Sequence, residues 1–310
     1  MSSITIVDGG MSRELVRLGA ELKQPEWSAL ALMNSPDIVR RVHQEFIAAG
    51  ADVVTTNSYA LVPFHIGEER FRADGPRLIA LAGRLAREAA DDTRDRPVRV
   101  AGSLPPIFGS YEPQLFQPDR VQDYLGVLVE ALDPFVDVFL GETLSLVAEA
   151  EAVERAVATT GKPFWISFTL EDGPGAEHRA PALRSGESVA QAARWIAGSS
   201  AAALLFNCSR PEVMRQAVDV AAEILGESGR QIAIGVYANA FASNEDEDGA
   251  ANETLHAIRD DLSDDRYAAF ACDWADRGAT MIGGCCGVGA SHLRGLCRTL
   301  QSRRRDAAAG

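Results

Sequence analysis

The sequence predicts an α/β protein in which residues 1–310 form a single (β/α)8 TIM barrel. Short apolar runs that favour strands alternate eight times with amphipathic helical patterns. The strand runs are almost continuously apolar, which is typical of parallel strands buried on both faces. No linker rich in proline, glycine or serine divides the chain into two domains. A doubly wound open sheet is the alternative arrangement of the same elements.

The eight predicted strands are short runs dominated by aliphatic and aromatic residues. They cover residues 4–10, 52–57, 98–103, 136–142, 164–170, 202–208, 231–239 and 280–286. In a parallel barrel the carboxyl ends of all strands meet at one rim. The residues that end these runs are therefore the first candidates for a functional site.

The eight predicted helices lie between and after these strands, and each has one apolar face. They lie near residues 36–49, 76–92, 119–132, 144–159, 187–198, 211–225, 264–277 and 290–303. Ser35 and Pro36 form a typical helix start, because serine caps the helix and proline is tolerated in its first turn. Three long irregular stretches follow strands, where a barrel places the loops of its catalytic face. These stretches are residues 104–118, 171–186 and 240–262.

Composition and charge exclude several classes of protein. Hydrophobic residues make up 46% of the chain and charged residues 24%, and no apolar run is long enough to cross a bilayer, so we expect no membrane partner. The first residues lack a basic segment followed by an apolar core, which predicts a cytoplasmic protein. A net charge of −14 argues against nucleic-acid binding, because that function requires a basic surface.

Three of the five cysteines are expected to meet at the rim of the barrel. Cys208 closes the sixth predicted strand, and Cys285 and Cys286 close the eighth, which fills the same interior layers. Adjacent residues of a regular strand point to opposite faces, so both cysteines can reach one ion only if the backbone bends. The glycines of the segment 283–287 supply that freedom.

Three converging thiolates predict a zinc site. Zinc suits sulfur ligands, with Zn–S distances of about 2.3 Å, and three protein ligands leave a fourth position open. Two alternatives to a metal site stay open: small cysteines that simply fill a crowded rim, or a disulfide between Cys285 and Cys286. Cys272 and Cys297 lie within predicted helices, and we interpret them as ordinary buried thiols.

Five motifs occur in order along the chain, each at the end of a predicted strand. They are Asp8-Gly9-Gly10, Thr55-Thr56-Asn57-Ser58-Tyr59, Gly141-Glu142-Thr143-Leu144, Asn207-Cys208 and Gly283-Gly284-Cys285-Cys286-Gly287. On these motifs the chain resembles the homocysteine S-methyltransferase family. The zinc-binding barrel of that family also occurs in betaine-homocysteine methyltransferase and in the homocysteine domain of methionine synthase. The resemblance covers nearly the whole chain.

The resemblance implies a metal and a substrate site. It assigns zinc to Cys208, Cys285 and Cys286, with the substrate sulfur as the fourth ligand. It also implies that Asp8 and Glu142 bind the substrate amino group, and an α-ammonium in a barrel mouth does need carboxylate partners. The substrate-binding residues predicted on this basis are Asp8, Gly9, Gly10, Tyr59, Glu142, Asn207 and Gly284.

The implied reaction is the transfer of a methyl group from a sulfonium donor, S-methylmethionine or S-adenosylmethionine, to homocysteine, which forms methionine. The zinc-held substrate thiolate attacks the donor directly, so no protein nucleophile is needed. A sulfonium cation favours aromatic faces. The aromatic candidates for the donor site are Tyr59, whose motif the family shares, and Phe108, Tyr111, Phe168 and Tyr237.

Two segments depart from the family pattern and leave the donor open. Residues 11–15 read Met-Ser-Arg-Glu-Leu, where relatives commonly have a small residue and Thr-Glu-Leu, and the loop 102–111 lacks the common Gly-Pro-x-Gly form. The acidic run 244–249 could steer a cationic donor or be a solvated loop. Two alternative functions are methylation of another small thiol or selenol, such as selenocysteine, and a noncatalytic zinc-storage or redox barrel.

Overall fold

The computed structural model describes residues 4–241 and 259–309. Within them, eight parallel strands form one sheet in which each strand pairs with its neighbours along the chain. The strands are β1 (Thr5–Ile6), β2 (Val53–Thr55), β3 (Arg99–Leu104), β4 (Val138–Leu144), β5 (Phe164–Thr169), β6 (Ala203–Asn207), β7 (Ala233–Tyr237) and β8 (Met281–Ile282). β1 pairs with β8, and a parallel bridge between Val7 and Val53 joins the β1 side to β2. This closure confirms the (β/α)8 barrel and is incompatible with the open sheet.

Eleven α-helices surround the barrel in the same described residues. They are α1 (Met11–Arg17), α2 (Ser28–Asn34), α3 (Pro36–Ala49), α4 (Pro63–Ile66), α5 (Glu68–Asp91), α6 (Val121–Leu132), α7 (Val147–Val157), α8 (Val189–Gly198), α9 (Pro211–Glu227), α10 (Asp264–Asp276) and α11 (Ala290–Ala309). All eight predicted helices are present, and α5 begins at Glu68, with Pro76 inside it. Throughout residues 4–241 and 259–309, the helices are too short or too polar to span a membrane.

The two strands that pair where the barrel closes, β1 and β8, are shorter than predicted. β1 and β8 contain two residues each, whereas runs 4–10 and 280–286 were expected to be strands. Regular strand structure ends after Ile6 and Ile282, and beyond these residues only single backbone hydrogen bonds, such as the one from the Val7 N–H to the Ile282 carbonyl, continue to the rim. The residues beyond these two strand ends, which carry the predicted motifs, are therefore free to line a cleft.

Alternating side chains of the strands build two apolar layers. Val138, Leu140 and Leu205 point inward and fill the barrel. Leu204 and Phe206 point outward and pack beneath the helices, and both are fully buried. This packing on both faces fixes the strand ends that carry the site.

His43, on α3, is an unusual member of the outer layer. Its side chain is 0% exposed, and neither ring nitrogen has a hydrogen-bond partner among the described residues. Burial lowers the pKa of His43 from 6.5 to about 4. Because the unfolded chain then binds this proton more tightly than the folded protein, the free energy of unfolding falls as the pH decreases from about 6.5 to about 4, by about 3 kcal/mol in all.

We expect His43→Leu to lose most of this acid sensitivity. Urea unfolding of both proteins at pH 7 and pH 5 measures it: the wild type should lose clearly more stability over this interval than the variant. An equally large loss in the variant would assign the effect to other groups.

Candidate active site

A cleft with about 770 Å³ of empty space, part of it open to solvent, lies at the carboxyl ends of the strands. Nine of the ten predicted metal and substrate residues line it: Asp8, Gly9, Gly10, Tyr59, Glu142, Cys208, Gly284, Cys285 and Cys286. The other lining residues are Met11, Ser12, Trp27, Ser28, Thr55, Thr56, Asn57, Tyr111, Thr143 and Tyr237. The remaining predicted residue, Asn207, lies elsewhere.

Asp8 lies just beyond β1, and its carboxyl group is directed toward β2. One carboxylate oxygen accepts the backbone N–H of Thr55 at 2.7 Å, and the other accepts the Thr55 hydroxyl at 3.1 Å. The residue is 5% exposed. Burial, with a smaller contribution from the nearby charge of Glu142, raises the pKa of Asp8 to about 8. The free cleft therefore holds this carboxyl group largely protonated at neutral pH.

A shift in the hydrogen-bond ladder directs Asp8 toward the cleft. The N–H of Val7 donates to the Ile282 carbonyl at 2.9 Å, so a regular parallel ladder would have the Val7 carbonyl accept from Gly284. The carbonyl of Asp8 accepts that N–H instead, at 2.9 Å. The segment just beyond β1 thus carries one extra residue relative to the segment after β8, as in a β-bulge, and this re-aims the side chains that follow.

Glu142, on β4, is the second carboxyl group of the cleft. It accepts the Ser103 hydroxyl at 2.8 Å, and burial raises its pKa. Neither Glu142 nor Asp8 forms a salt bridge with a described residue. Two carboxyl groups that lack a cationic partner in a buried cleft are suited to a ligand that brings its own positive charge.

The sulfur atoms of Cys208, Cys285 and Cys286 all lie within 4.8 Å of one another. In a tetrahedral zinc site with Zn–S distances of about 2.3 Å, sulfur atoms are about 3.8 Å apart, and those of Cys285 and Cys286 are separated by 4.0 Å. A disulfide joins Cys208 to Cys285, while Cys286 is a free thiol, so the predicted alternative of a Cys285–Cys286 bond is wrong. The cluster could hold a metal once the disulfide is reduced.

The backbone of Cys208 adopts a left-handed conformation, with φ of +48°. Such a conformation costs a non-glycine residue on the order of 1–3 kcal/mol and persists where the surroundings fix it. The Cys208 carbonyl accepts two hydroxyl groups, from Tyr111 at 3.2 Å and Thr169 at 3.3 Å. The guanidinium of Arg184 lies 4.4 Å from the centre of the Tyr111 ring and is paired with Asp172 at 2.7 Å. The β3–α6 loop, through Tyr111, and the end of β5, through Thr169, thereby hold Cys208 in place, and the β5–α8 loop supports Tyr111 through Arg184.

Two of the predicted glycines permit close contacts between loops. A Cβ atom on Gly10 would overlap the Cys285 carbonyl, and one on Gly284 would overlap the Val288 side chain. Among the glycines of the segment 283–287, only Gly287 has a positive φ, of +81°. Close approach, more than backbone bending, accounts for the glycines before the cysteines.

Asn207 lies below the cleft. Its side chain is 0% exposed and bonds Thr143 twice, accepting the backbone N–H at 3.2 Å and donating to the hydroxyl at 2.8 Å, and it accepts the Ser167 hydroxyl at 2.7 Å. Thr143 follows Glu142 and has a φ of +61°. Asn207 is therefore placed to orient the turn at Glu142, and it does not line the cleft.

The aromatic candidates divide into two groups. Tyr59, Tyr111 and Tyr237 line the cleft. Phe168 is fully buried in the outer core, and Phe108 packs edge-on against Tyr124 at a ring distance of 5.9 Å. Neither phenylalanine is among the described residues that line the cleft.

Sequence reasoning missed Trp27, which also lines the cleft. Its only signal was a lone tryptophan in the loop after the first strand. The acidic run 244–249 lies outside the described residues. Cys272 and Cys297 lie on α10 and α11, away from the cluster, but they are half-buried rather than buried.

Comparison with known proteins adds three findings. The profile of a family described as "Homocysteine S-methyltransferase" matches residues 5–300. Homocysteine S-methyltransferase 1 of Arabidopsis thaliana is 31% identical over 96% of this chain and 94% of its own length, and a selenocysteine methyltransferase of Astragalus bisulcatus is 26% identical over 96% and 92%. The metallated form of the homocysteine methyltransferase MmuM from Escherichia coli superposes with a TM-score of 0.74 at 26% identity, covering 95% of this chain and 96% of that one.

Proposed function

Since this chain belongs to the homocysteine S-methyltransferase family, it is a methyltransferase, and we propose that it transfers a methyl group from a sulfonium compound to homocysteine at a zinc site. One observation carries the proposal. A single cleft holds three cysteine sulfur atoms within 4.8 Å of one another beside two carboxyl groups that no described cation neutralises. These groups match the thiol and the ammonium of one small amino acid.

We assign the zinc to Cys208, Cys285 and Cys286. Bound there, zinc would supply a fourth position at which the sulfur of homocysteine is held as a thiolate at neutral pH. The assignment needs all three cysteines as free thiols, which a reducing cytosol maintains.

Asp8 and Glu142 bind the α-ammonium of homocysteine in this proposal. Hydrogen bonds from Thr55 and Ser103 already orient the carboxyl oxygen atoms of these two residues. Binding of the substrate therefore costs little side-chain entropy at these carboxyl groups. The ammonium favours the ionised form of Asp8, whose pKa is about 8 in the free cleft. Binding should therefore displace a proton from this carboxyl group at neutral pH.

This linkage predicts a pH dependence that only the amino-bearing substrate shows. We expect the ratio of kcat/KM for homocysteine to that for 4-mercaptobutanoate, which lacks the ammonium, to fall as the pH decreases below about 8, approaching tenfold per pH unit. The thiol is common to both substrates, so its ionisation cancels in the ratio. A ratio that stays constant between pH 8 and pH 6 would remove Asp8 from this role.

In this proposal the donor binds against the rings of Trp27, Tyr59 and Tyr111, which line the cleft. Aromatic faces attract a sulfonium cation by about 0.5–2 kcal/mol each. The homocysteine sulfur attacks the methyl carbon, the bond from that carbon to the donor sulfur breaks, and the donor leaves as a neutral thioether. The chain contributes alignment of the two sulfur atoms and removal of water, and none of its side chains has to accept a proton in this step.

A donor panel tests the proposal. The reduced, zinc-loaded protein is incubated with homocysteine and either S-methylmethionine or S-adenosylmethionine, before and after chelation, and methionine is quantified. We expect methionine from at least one donor, loss of activity with the chelator and recovery with zinc. Full activity after complete removal of the metal would contradict the mechanism.

A second acceptor is supported by one comparison. The similarity to the selenocysteine methyltransferase of Astragalus bisulcatus favours selenocysteine as an alternative substrate, because a selenol would occupy the same position as a thiol. Competition between the two acceptors in one assay separates them by their kcat/KM values. The noncatalytic alternative of a zinc-storage or redox barrel is wrong for a member of this family of enzymes.

A further inference from the structure

We propose that Tyr267, on α10, is a positioning residue. Its hydroxyl group replaces a backbone hydrogen bond that is missing between the segments that follow β7 and β8, and so fixes the turn that carries Cys285 and Cys286. The proposal rests on the proposed function, because it concerns the same three-cysteine site. Tyr267 belongs to none of the sequence motifs and does not line the cleft. It acts from the outer layer of helices.

The missing hydrogen bond would join Ala238 and Gly283, at the rim of the barrel. Gly283 donates its N–H to the Val236 carbonyl at 3.0 Å, so a regular parallel ladder would have its carbonyl accept the N–H of Ala238. That bond is not formed between these two described residues. The Gly283 carbonyl accepts the Tyr267 hydroxyl instead, at 2.6 Å, and the same hydroxyl lies 3.3 Å from the Ala238 carbonyl.

The hydroxyl group is held firmly where it is. Tyr267 is 0% exposed. Its ring packs edge-on against Trp274 at 5.8 Å and His292 at 6.1 Å between ring centres. A side chain enclosed in this way cannot turn to another acceptor, so its single proton is available to the strand ends alone.

The two carbonyl groups that Tyr267 contacts belong to the segments on which the cysteines depend. The Ala238 carbonyl also accepts the Cys285 N–H at 2.9 Å, and the Cys286 carbonyl accepts the Ala240 N–H at 2.8 Å. The spacing between Ala238 and Gly283 therefore sets where both thiols lie. Groups that orient metal ligands from behind typically contribute 10- to 100-fold in metal affinity or activity.

Tyr267→Phe tests the inference by deleting one oxygen atom while keeping the packed ring. Tyr124→Phe is the matched control, because Tyr124 is equally a buried tyrosine on an outer helix, but its hydroxyl bonds the Glu68 carboxylate at 2.8 Å. Zinc affinity is measured by competition with a chromophoric chelator, and the cobalt-substituted proteins are compared by their thiolate-to-metal absorption bands. Thermal melting of the metal-free proteins checks that each variant is folded.

We expect Tyr267→Phe to bind zinc about tenfold more weakly and to show shifted cobalt bands, while Tyr124→Phe matches the wild type on both counts. Unchanged affinity and unchanged bands in a folded Tyr267→Phe would overturn the inference and leave the zinc site intact. A wild type that binds no zinc after reduction would instead overturn the proposed function and the inference with it. If Tyr267→Phe does not fold, 4-aminophenylalanine in place of Tyr267 keeps an N–H donor. Zinc affinity of that variant within about twofold of the wild type supports the inference, whereas a tenfold loss of zinc affinity contradicts it.

Discussion

Replacement of Cys208 by alanine is expected to abolish metal binding and methyl transfer together. With two thiolates left, the site loses the coordination that holds the substrate sulfur ionised, which contributes several kcal/mol. Because about 1.4 kcal/mol corresponds to tenfold in rate, kcat/KM should fall by about 1,000-fold or more. Metal content by emission spectroscopy and turnover under reducing conditions measure the two effects on one preparation.

Cys272→Ala is the matched control for this change. Cys272 is a half-buried cysteine that lies on α10 and outside the three-cysteine cluster, whereas Cys208 is buried. We expect the control to keep its metal and its activity within about twofold, because Cys272 is not among the described residues that line the cleft. A Cys208→Ala protein that turns over at more than a tenth of the wild-type rate without metal would contradict the assignment.

Replacement of Asp8 by asparagine is expected to cost about 100-fold in kcat/KM for homocysteine. The variant keeps the shape of the side chain and an oxygen for Thr55, but it removes the charge that would pair with the ammonium. Losing one partner of a buried charge pair typically costs 2–5 kcal/mol, and about 2.7 kcal/mol corresponds to 100-fold. Steady-state kinetics with saturating donor measure this effect.

A thermodynamic cycle separates loss of this contact from general damage. For 4-mercaptobutanoate, which lacks the ammonium, Asp8→Asn should change kcat/KM by less than about fivefold. An equal loss with both substrates would show that Asp8 supports the structure of the cleft without binding the amino group. Glu142→Gln should behave in the same way, since Glu142 is the second carboxyl group of the cleft.

The barrel could be predicted from the sequence because its strands are buried on both faces and its helices on one. The three helices that were missed, α1, α2 and α4, are short segments of four to seven residues in loops after strands. Periodicity over so few residues is a weak signal, and α1 and α2 are stabilised by packing against α3. The loops of the catalytic face thus contained more regular structure than their sequence indicated.

The convergence of Cys208, Cys285 and Cys286 could be predicted because parallel strands deliver their last residues to one rim. The position of Asn207 could not, although it precedes Cys208 directly. Alternate residues of a strand point to the same face, so Asn207 points into the barrel like Ala203 and Leu205. Cys208 would then point outward, but its left-handed backbone turns its side chain toward the cleft. The role of Tyr267 could not be predicted either, because its contact with Gly283 depends on how α10 packs against the end of β8.

X-ray absorption at the zinc edge tests the central claim most directly. The reduced, zinc-loaded protein should show three sulfur ligands at about 2.3 Å together with a lighter fourth ligand. Addition of homocysteine without donor should replace that ligand with a fourth sulfur, and addition of 4-mercaptobutanoate should do the same at higher concentration. A coordination shell that stays unchanged at saturating homocysteine would contradict activation of the thiol by the metal.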